Sequence, residues 1–189
     1  GIASDARTRD QYGLYLNHIW DITEDLNITG GARWEDYDDY GDEVTWRVSS
    51  AYTLSQTDTT IRASIGKGFR PPSFLDLYGF GGQAPSTGLE AETSLGWDIG
   101  VEQPLCDGQY TVGLTYFENR IEDAITFVYQ PPPTLSYNIN AGGVTKTNGI
   151  EASAEANFLQ DRLGMRLSYT WLNRALAEMP EHSLGLRIQ

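Results

Sequence analysis

Apolar and polar residues alternate along most of the chain. In "SLGWDIGVEQ", Leu95, Trp97, Ile99 and Val101 are apolar, while Gly96, Asp98, Gly100 and Glu102 are tiny or charged. A period of two over this length predicts a β-strand with two dissimilar faces. The pattern recurs in "YGLYLNHIWD", "LNITGGARWE", "TWRVSSAYTL", "TIRASIGKGFR", "QYTVGLTY", "GIEASAEANF" and "LGMRLSYTW", and it is still running in "SLGLRIQ". About nine strands are predicted, most near the ten residues that cross a bilayer. His18 and Lys67 fall on the apolar face and Phe117 on the polar one. Lys67 lies near a strand end, where its stem can snorkel.

The apolar face meets either a protein core or lipid. Connection lengths separate the two readings. Short connections (23–25, 55–59, 106–108, 159–162) alternate with longer ones (36–43, 70–93, 118–148, 173–182). A soluble sandwich has no reason to sort its loops this way. An outer-membrane barrel does, with short periplasmic turns and long outer loops. The polar face carries Gly, Ser, Thr, Arg, Glu and Asp with hardly a Lys, as a polar lumen would. Aromatics stand near strand ends (Trp20, Trp34, Trp46, Tyr52, Phe158, Trp171), as in an interfacial girdle. Leu95, Trp97, Ile99 and Val101 are therefore expected to face lipid. The expected fold is all-β, an antiparallel transmembrane β-barrel. A soluble all-β binding protein is the alternative.

Composition fits this picture and narrows the chemistry. The chain has 189 residues, 12% aromatic, with 20 glycines. Its mean hydropathy of -0.40 would suggest solubility, but a barrel hides from that measure because every second residue is polar. No run of about 18 apolar residues exists, so no transmembrane helix is expected, and "GIASDARTRD" has no apolar leader region. A net charge of -13 argues against nucleic acid. The one cysteine, Cys106, excludes an internal disulfide and a cysteine-rich metal site. No nucleophile elbow accompanies His18 or His182, and "GKGFRPPS" ends a strand instead of opening a helix, so it is no phosphate loop.

Several segments carry a more specific signal. "GARWEDYDDYGDEVTW" leads through a strand and turn into "GKGFRPPSFLDLYGF", with Gly66, Gly68, Phe69, Arg70, Pro72, Ser73, Leu77, Tyr78 and Gly79. "STGLEAETSLGWDIG", "TYFENRIEDAITF", "YNINAGGVTKTNGIEASAEANF" and "LSYTWLNRAL…MPEHSLGL" follow in order. Together they resemble the barrel of TonB-dependent outer-membrane receptors, closest in pattern to the vitamin B12 transporter branch. The chain departs from the family pattern in having Ala91 where Pro is usual. The resemblance covers essentially the whole chain, 1–189. It implies a segment of about nine strands from a barrel of roughly 22, without the plug domain and the C-terminal strands. It also implies energised uptake of a bulky, scarce nutrient, a corrinoid or an iron–siderophore, in the outer membrane of a Gram-negative bacterium, and no enzymatic activity. The implied partners are outer-membrane lipid and lipopolysaccharide, the small bulky ligand, and a TonB-type energy-coupling protein acting through the plug. A small outer-membrane β-barrel enzyme or adhesin is the rival from another class.

Candidate site residues lie in three regions. Arg70, Tyr78, Phe80, Tyr129 and Tyr137 lie on or beside outer loops, where exposed aromatics suit a bulky ligand. Arg47 and Arg62 lie on the lumen face. They either pair with wall carboxylates or form part of a polar ligand path. Asp36, Asp38, Asp39 and Asp42 supply hard oxygens that suit Ca²⁺, but they lack EF-hand spacing. A solvated acidic loop is the plainer reading, and no cofactor is otherwise expected.

Overall fold

The computed structural model describes residues 8–38, 41–158, 163–173 and 180–188. Among the described residues, eleven strands and one short helix follow each other. They are β1 (Gln11–Asp21), β2 (Leu26–Tyr37), β3 (Gly41–Leu54), β4 (Thr59–Arg70), α1 (Phe74–Tyr78), β5 (Glu92–Leu105), β6 (Tyr110–Glu122), β7 (Ile125–Val128), β8 (Tyr137–Asn140), β9 (Val144–Phe158), β10 (Leu163–Asn173) and β11 (His182–Ile188). Nine of these form one antiparallel sheet in the order β1-β2-β3-β4-β5-β6-β9-β10-β11, and β7 and β8 form a separate hairpin. The sheet is open among the described residues, with β1 and β11 at its edges.

Register carries the two-faced pattern across the whole sheet. Val101 lies between Ile61 and Leu114, and Leu114 pairs onward with Ala152. Gly100 lies between Arg62 and Thr115, which pairs with Glu151. A soluble protein would bury the apolar face. Here Leu14 is 73% exposed, Leu114 52% and Ile99 50%, and among the described residues the buried apolar side chains are few: Tyr37, Ala91 and Pro72. An exposed face this apolar and this continuous matches the outward face of a transmembrane barrel. Leu95, Ile99 and Val101 are exposed on it, while Trp97 is half-covered by the Tyr116 ring at 5.4 Å. No described helix is long and apolar enough to cross a membrane.

Small residues let bulky neighbours lie flat. A Cβ on Gly30 would sit 2.9 Å from the Trp20 ring, so the absent side chain is what admits the indole. On the opposite face Phe117, read as an exception to the alternation, covers Gly149. A Cβ there would come within 2.9 Å of the ring and 2.2 Å of the Trp171 carbonyl oxygen.

The turns at one end are short, spanning 22–25, 55–58 and 106–109, and the connections 71–91 and 123–143 at the other end are long. The expected loop over 36–43 is different. β2 runs to Tyr37 and β3 begins at Gly41, so only 38–40 connect them. Asp36 and Asp42 are directly paired within the ladder. The expected 118–148 connection is also shorter, because β6 and β9 extend their pairing out to Glu122 and Val144. Lys67 does more than snorkel, since its ammonium is ion-paired with Glu43.

Candidate functional site

At the long-loop end the chain builds a polar cap from two connections. Arg70 ends β4, and the Pro71–Pro72 pair stops the strand pairing there because neither residue has an N–H to donate. Ser73 then caps α1. Its hydroxyl accepts from the Asp76 backbone N–H at 3.1 Å, while the Asp76 carboxylate accepts from the Ser73 backbone N–H at 2.8 Å and hydroxyl at 2.7 Å. This is a capping box closed in both directions. Arg70 joins it by donating to Asp76 at 3.2 Å and to Glu92, at the start of β5, at 2.6 Å. Burial of the Asp76 carboxyl would raise its pKa. The Ser73 hydrogen bonds and the Arg70 guanidinium outweigh that and hold it below the usual carboxylate range.

Two asparagines stitch the second connection to the first. Asn138 donates its side-chain amide to the Asp76 carbonyl at 3.1 Å and its backbone N–H to Ser86 Oγ at 3.0 Å. Asn140 accepts from the Glu90 N–H at 2.8 Å and donates to the carbonyls of Glu90 (2.9 Å) and Asp123 (2.7 Å). Ala84 N–H donates to the Ser136 carbonyl at 2.7 Å, and Ile125 N–H to Glu92 Oε1 at 2.6 Å. The loops therefore form one body held by polar bonds, with Ser136 and Ala91 buried inside it.

A third anchor comes from the first described residues. Arg9 donates to the Pro72 carbonyl at 3.0 Å and lies over the Phe74 ring (5.2 Å) and the Tyr37 ring (5.9 Å). Tyr37 contacts Phe69 edge-on and donates its hydroxyl to Glu35 at 3.3 Å. Glu35 also accepts from Arg33 at 2.7 Å and from Gln11. Nothing in the alternation of the sequence marks Arg9, because its partners are brought to it by folding and not by spacing.

The candidate residues separate into three groups. Arg70 and Tyr78 belong to the α1 corner, where the Tyr78 ring faces Phe74 at 6.3 Å. Phe80 (83% exposed) and Tyr129 (70%) project from the two connections, and Tyr137 is half-buried in β8. Arg47 and Arg62 stand lower, on the lumen wall. Arg47 donates to Ser64 Oγ at 2.9 Å, Ser64 donates to Asp98, and Arg62 pairs with Glu102 at 3.7 Å. These wall arginines are thus engaged with wall hydroxyls and carboxylates.

The acidic stretch is divided between the two faces by its own strand geometry. Glu35 pairs with Glu43 on one face, and Asp36 pairs with Asp42 on the other. Asp42 accepts from the Trp34 indole N–H at 3.2 Å. Asp38 follows the strand, and Asp39 lies outside the described residues. Among the described residues no three His, Cys, Asp or Glu side chains gather as a metal-sized group.

The protein-family model described as TonB dependent receptor-like, beta-barrel matches residues 1–189. A vitamin B12 transporter, BtuB, of Photobacterium profundum is 37% identical over 70 residues, which is 37% of this chain and 11% of that protein. An iron-regulated outer membrane virulence protein of Vibrio cholerae serotype O1 (Classical Ogawa 395) is 24% identical over 198 aligned residues, covering 91% of this chain and 30% of that one. The siderophore receptor PirA from Pseudomonas aeruginosa superposes with a TM-score of 0.78 at 22% identity, over 95% of this chain and 34% of that one. Aligned over nine-tenths or more of its length, the chain spans only 30% and 34% of the latter two proteins.

Proposed function

This chain belongs to the TonB dependent receptor-like β-barrel family, a family of transport receptors of the Gram-negative outer membrane, and on that premise we propose that it forms the ligand-facing part of a receptor for energised uptake of a corrinoid or an iron–siderophore. The observation that carries the reading is the polar cap. It is a body of two connections, bonded to each other and carrying exposed aromatics, set above a lumen wall of Gly, Ser, Thr, Arg and carboxylates. A bulky amphipathic ligand is recognised by such a surface through stacking on Phe80 and Tyr129 and through polar contacts near Arg70 and Tyr137. Arg47 and Arg62 offer further contacts along the wall. The names of the relatives, a vitamin B12 transporter and an iron-regulated outer membrane protein, support both ligand classes.

Energy coupling requires a plug and a periplasmic TonB-type partner, and we assign neither to residues 1–189. We propose that the described sheet is one arc of the family's larger barrel. In lipid, an unpaired strand edge leaves backbone groups unsatisfied at several kcal/mol each, so β1 and β11 are expected to pair with further strands. Uptake tests the function directly. Cells lacking their own receptors and expressing the full-length protein are offered labelled cyanocobalamin and a panel of ferric siderophores, with and without a proton uncoupler. Accumulation of one ligand that stops with the uncoupler supports the proposal. Binding that is insensitive to energy, or no accumulation of any of these ligands, counts against it.

A further inference from the structure

The two connections of the polar cap carry charge of one sign. Residues 71–91 and 123–143 contain Asp76, Glu90 and Asp123 but no Lys, Arg or His. Any cation near the cap is therefore supplied by the strand ends beneath it, and those cations are already engaged. Arg70 lies between two carboxylates, Asp76 and Glu92, so the trio keeps one negative charge in excess. Lys67 is ion-paired with Glu43, and Arg33 with Glu35. Arg9 donates to the Pro72 carbonyl and lies over the Phe74 and Tyr37 rings. Arg120 and Lys146 stand on the face away from the lumen and share Glu118, with Glu122 next along that face. Lower on the wall, Arg47 donates to Ser64, which donates to Asp98, and Arg62 pairs with Glu102.

Between the two connections lies an open cleft of about 680 Å³, lined by 84–90 and 137–140. Ser86, Thr87, Tyr137, Asn138 and Asn140 give it uncharged polar groups, and its one charged residue is Glu90. The Glu90 backbone is held on both sides by the Asn140 side chain, which accepts from its N–H at 2.8 Å and donates to its carbonyl at 2.9 Å. Glu90 itself is exposed, and its carboxylate makes no ion pair among the described residues. The cleft thus presents a negative charge on a fixed backbone, with no cation to offset it. Such a field acts on a ligand before contact, over about 8 Å at physiological ionic strength, and it repels like charge at the mouth of the lumen.

We propose that the site selects its ligand by charge, taking a bulky ligand that is neutral or cationic and rejecting polyanionic ones, with Glu90 as a specificity-determining residue. The inference rests on the uptake reading above and narrows it. An uncharged corrinoid fits. Among iron complexes, three singly charged hydroxamates neutralise Fe³⁺, whereas three doubly charged catecholates leave the complex strongly anionic. The hydroxamate class fits and the catecholate class does not. A ligand without net negative charge still stacks on Phe80 and Tyr129 and still hydrogen-bonds to hydroxyl and backbone groups of the cap.

Calorimetric titration of the full-length protein in detergent separates charge from shape when the ligands are paired by size. Cyanocobalamin is compared with its tricarboxylate, in which peripheral amides are hydrolysed, and ferrioxamine B with its N-succinyl derivative. Ferric enterobactin is the polyanion. A neutral or cationic member should bind, and its carboxylated counterpart and ferric enterobactin should bind at least about tenfold more weakly. Glu90→Lys should shrink that gap at least about threefold. Glu24→Lys makes the same charge change at an exposed position in the short turn 22–25 and should leave the gap as it is. Heat-dependent gel mobility checks that both variants are folded. A carboxylated ligand bound as tightly as its counterpart, or ferric enterobactin bound as tightly as the neutral ligands, overturns charge selection while the uptake reading stands. A gap that Glu90→Lys does not move, or that Glu24→Lys moves equally, overturns the role of Glu90. Binding of none of these ligands overturns both the inference and the uptake reading.

Discussion

The consequences at the residue scale come from which face a side chain occupies. Val101 is exposed on the apolar face between Ile61 and Leu114. A charge near the bilayer midplane on that face costs about 2–4 kcal/mol, so Val101→Arg should lower the refolding free energy of the protein in lipid vesicles by that amount. Inward positions differ in how much room they offer. A Cβ on Gly100 would meet Thr115 Oγ1 at 2.5 Å, so an arginine there is penalised by collision as well as by position. At Gly96 the nearest atom is Asn119 Oδ1 at 3.3 Å, a side-chain tip that can swing aside. Gly96→Arg should therefore cost clearly less than Val101→Arg in a urea titration; equal costs would reverse the face assignment. Gly149 makes a second prediction. Its missing Cβ would collide with a backbone oxygen of Trp171 and with the Phe117 ring, so Gly149→Ala should destabilise by about 1–3 kcal/mol. Adding Phe117→Leu relieves only the ring collision. The double variant should recover part of the loss, and full recovery would show that the backbone contact is unimportant.

At the scale of elements, the alternation of the sequence marked the nine strands of the large sheet and missed what lies beyond the lipid. The reason is physical. Alternation is enforced only where one face meets acyl chains and the other meets the lumen. β6 continues past Tyr116 through Glu118, Arg120 and Glu122 with its ladder intact, yet both faces there carry polar groups and the periodic signal fades. The same fading turned the 36–43 stretch into an apparent loop. β7, β8 and α1 depend on tertiary bonds. The bonding of α1 begins with Ser73 and Asp76, a three-residue spacing visible in the sequence, but its fixing to Asn138 joins parts 62 residues apart. Arg70 and Tyr78 were legible as parts of a motif; the Arg9 anchor and the Asn140 stitch were not. Protonation offers a handle on this corner. The Asp76 pKa is lower in the folded state than in the unfolded chain, so its contribution is present above the ordinary carboxylate range and is lost as pH falls through the depressed folded value. Amide protection in 73–77, taken relative to the intrinsic exchange rate at each pH, should fall in that window, and Asp76→Asn should remove that step. A variant that keeps the full pH step would assign it to another group, with Glu92 the first to examine.

At the scale of the whole molecule, the two ends of the sheet differ in kind. One end has tight turns such as 106–109, where Cys106 and Asp107 both adopt positive φ and Gln109 N–H closes on the Cys106 carbonyl at 3.1 Å. The other carries the cap. Outward orientation of the cap predicts that Phe80→Cys and Tyr129→Cys label with a membrane-impermeant maleimide on intact cells, while native Cys106 labels only after the outer membrane is permeabilised. Early labelling at Cys106 would turn the molecule over. The aromatic boundary has a geometric meaning as well. From strand to strand it passes through Trp34, Trp46, Trp97, Tyr116 and Trp171, and most of these are not register partners. Trp34 pairs with Val44, Trp46 with Lys67 and Trp97 with Glu118. Relative to the ladder, the boundary drifts six residues towards the short turns over the six steps from β2 to β10. A girdle must lie level with the bilayer surface, so the drift measures how far the strands lean. With a rise of about 3.3 Å per residue and about 4.8 Å between strands, a drift of one residue per strand corresponds to a lean of roughly 35°, within the range of closed transmembrane barrels. The slant of these aromatics is therefore an angular record of how the strands would cross the membrane.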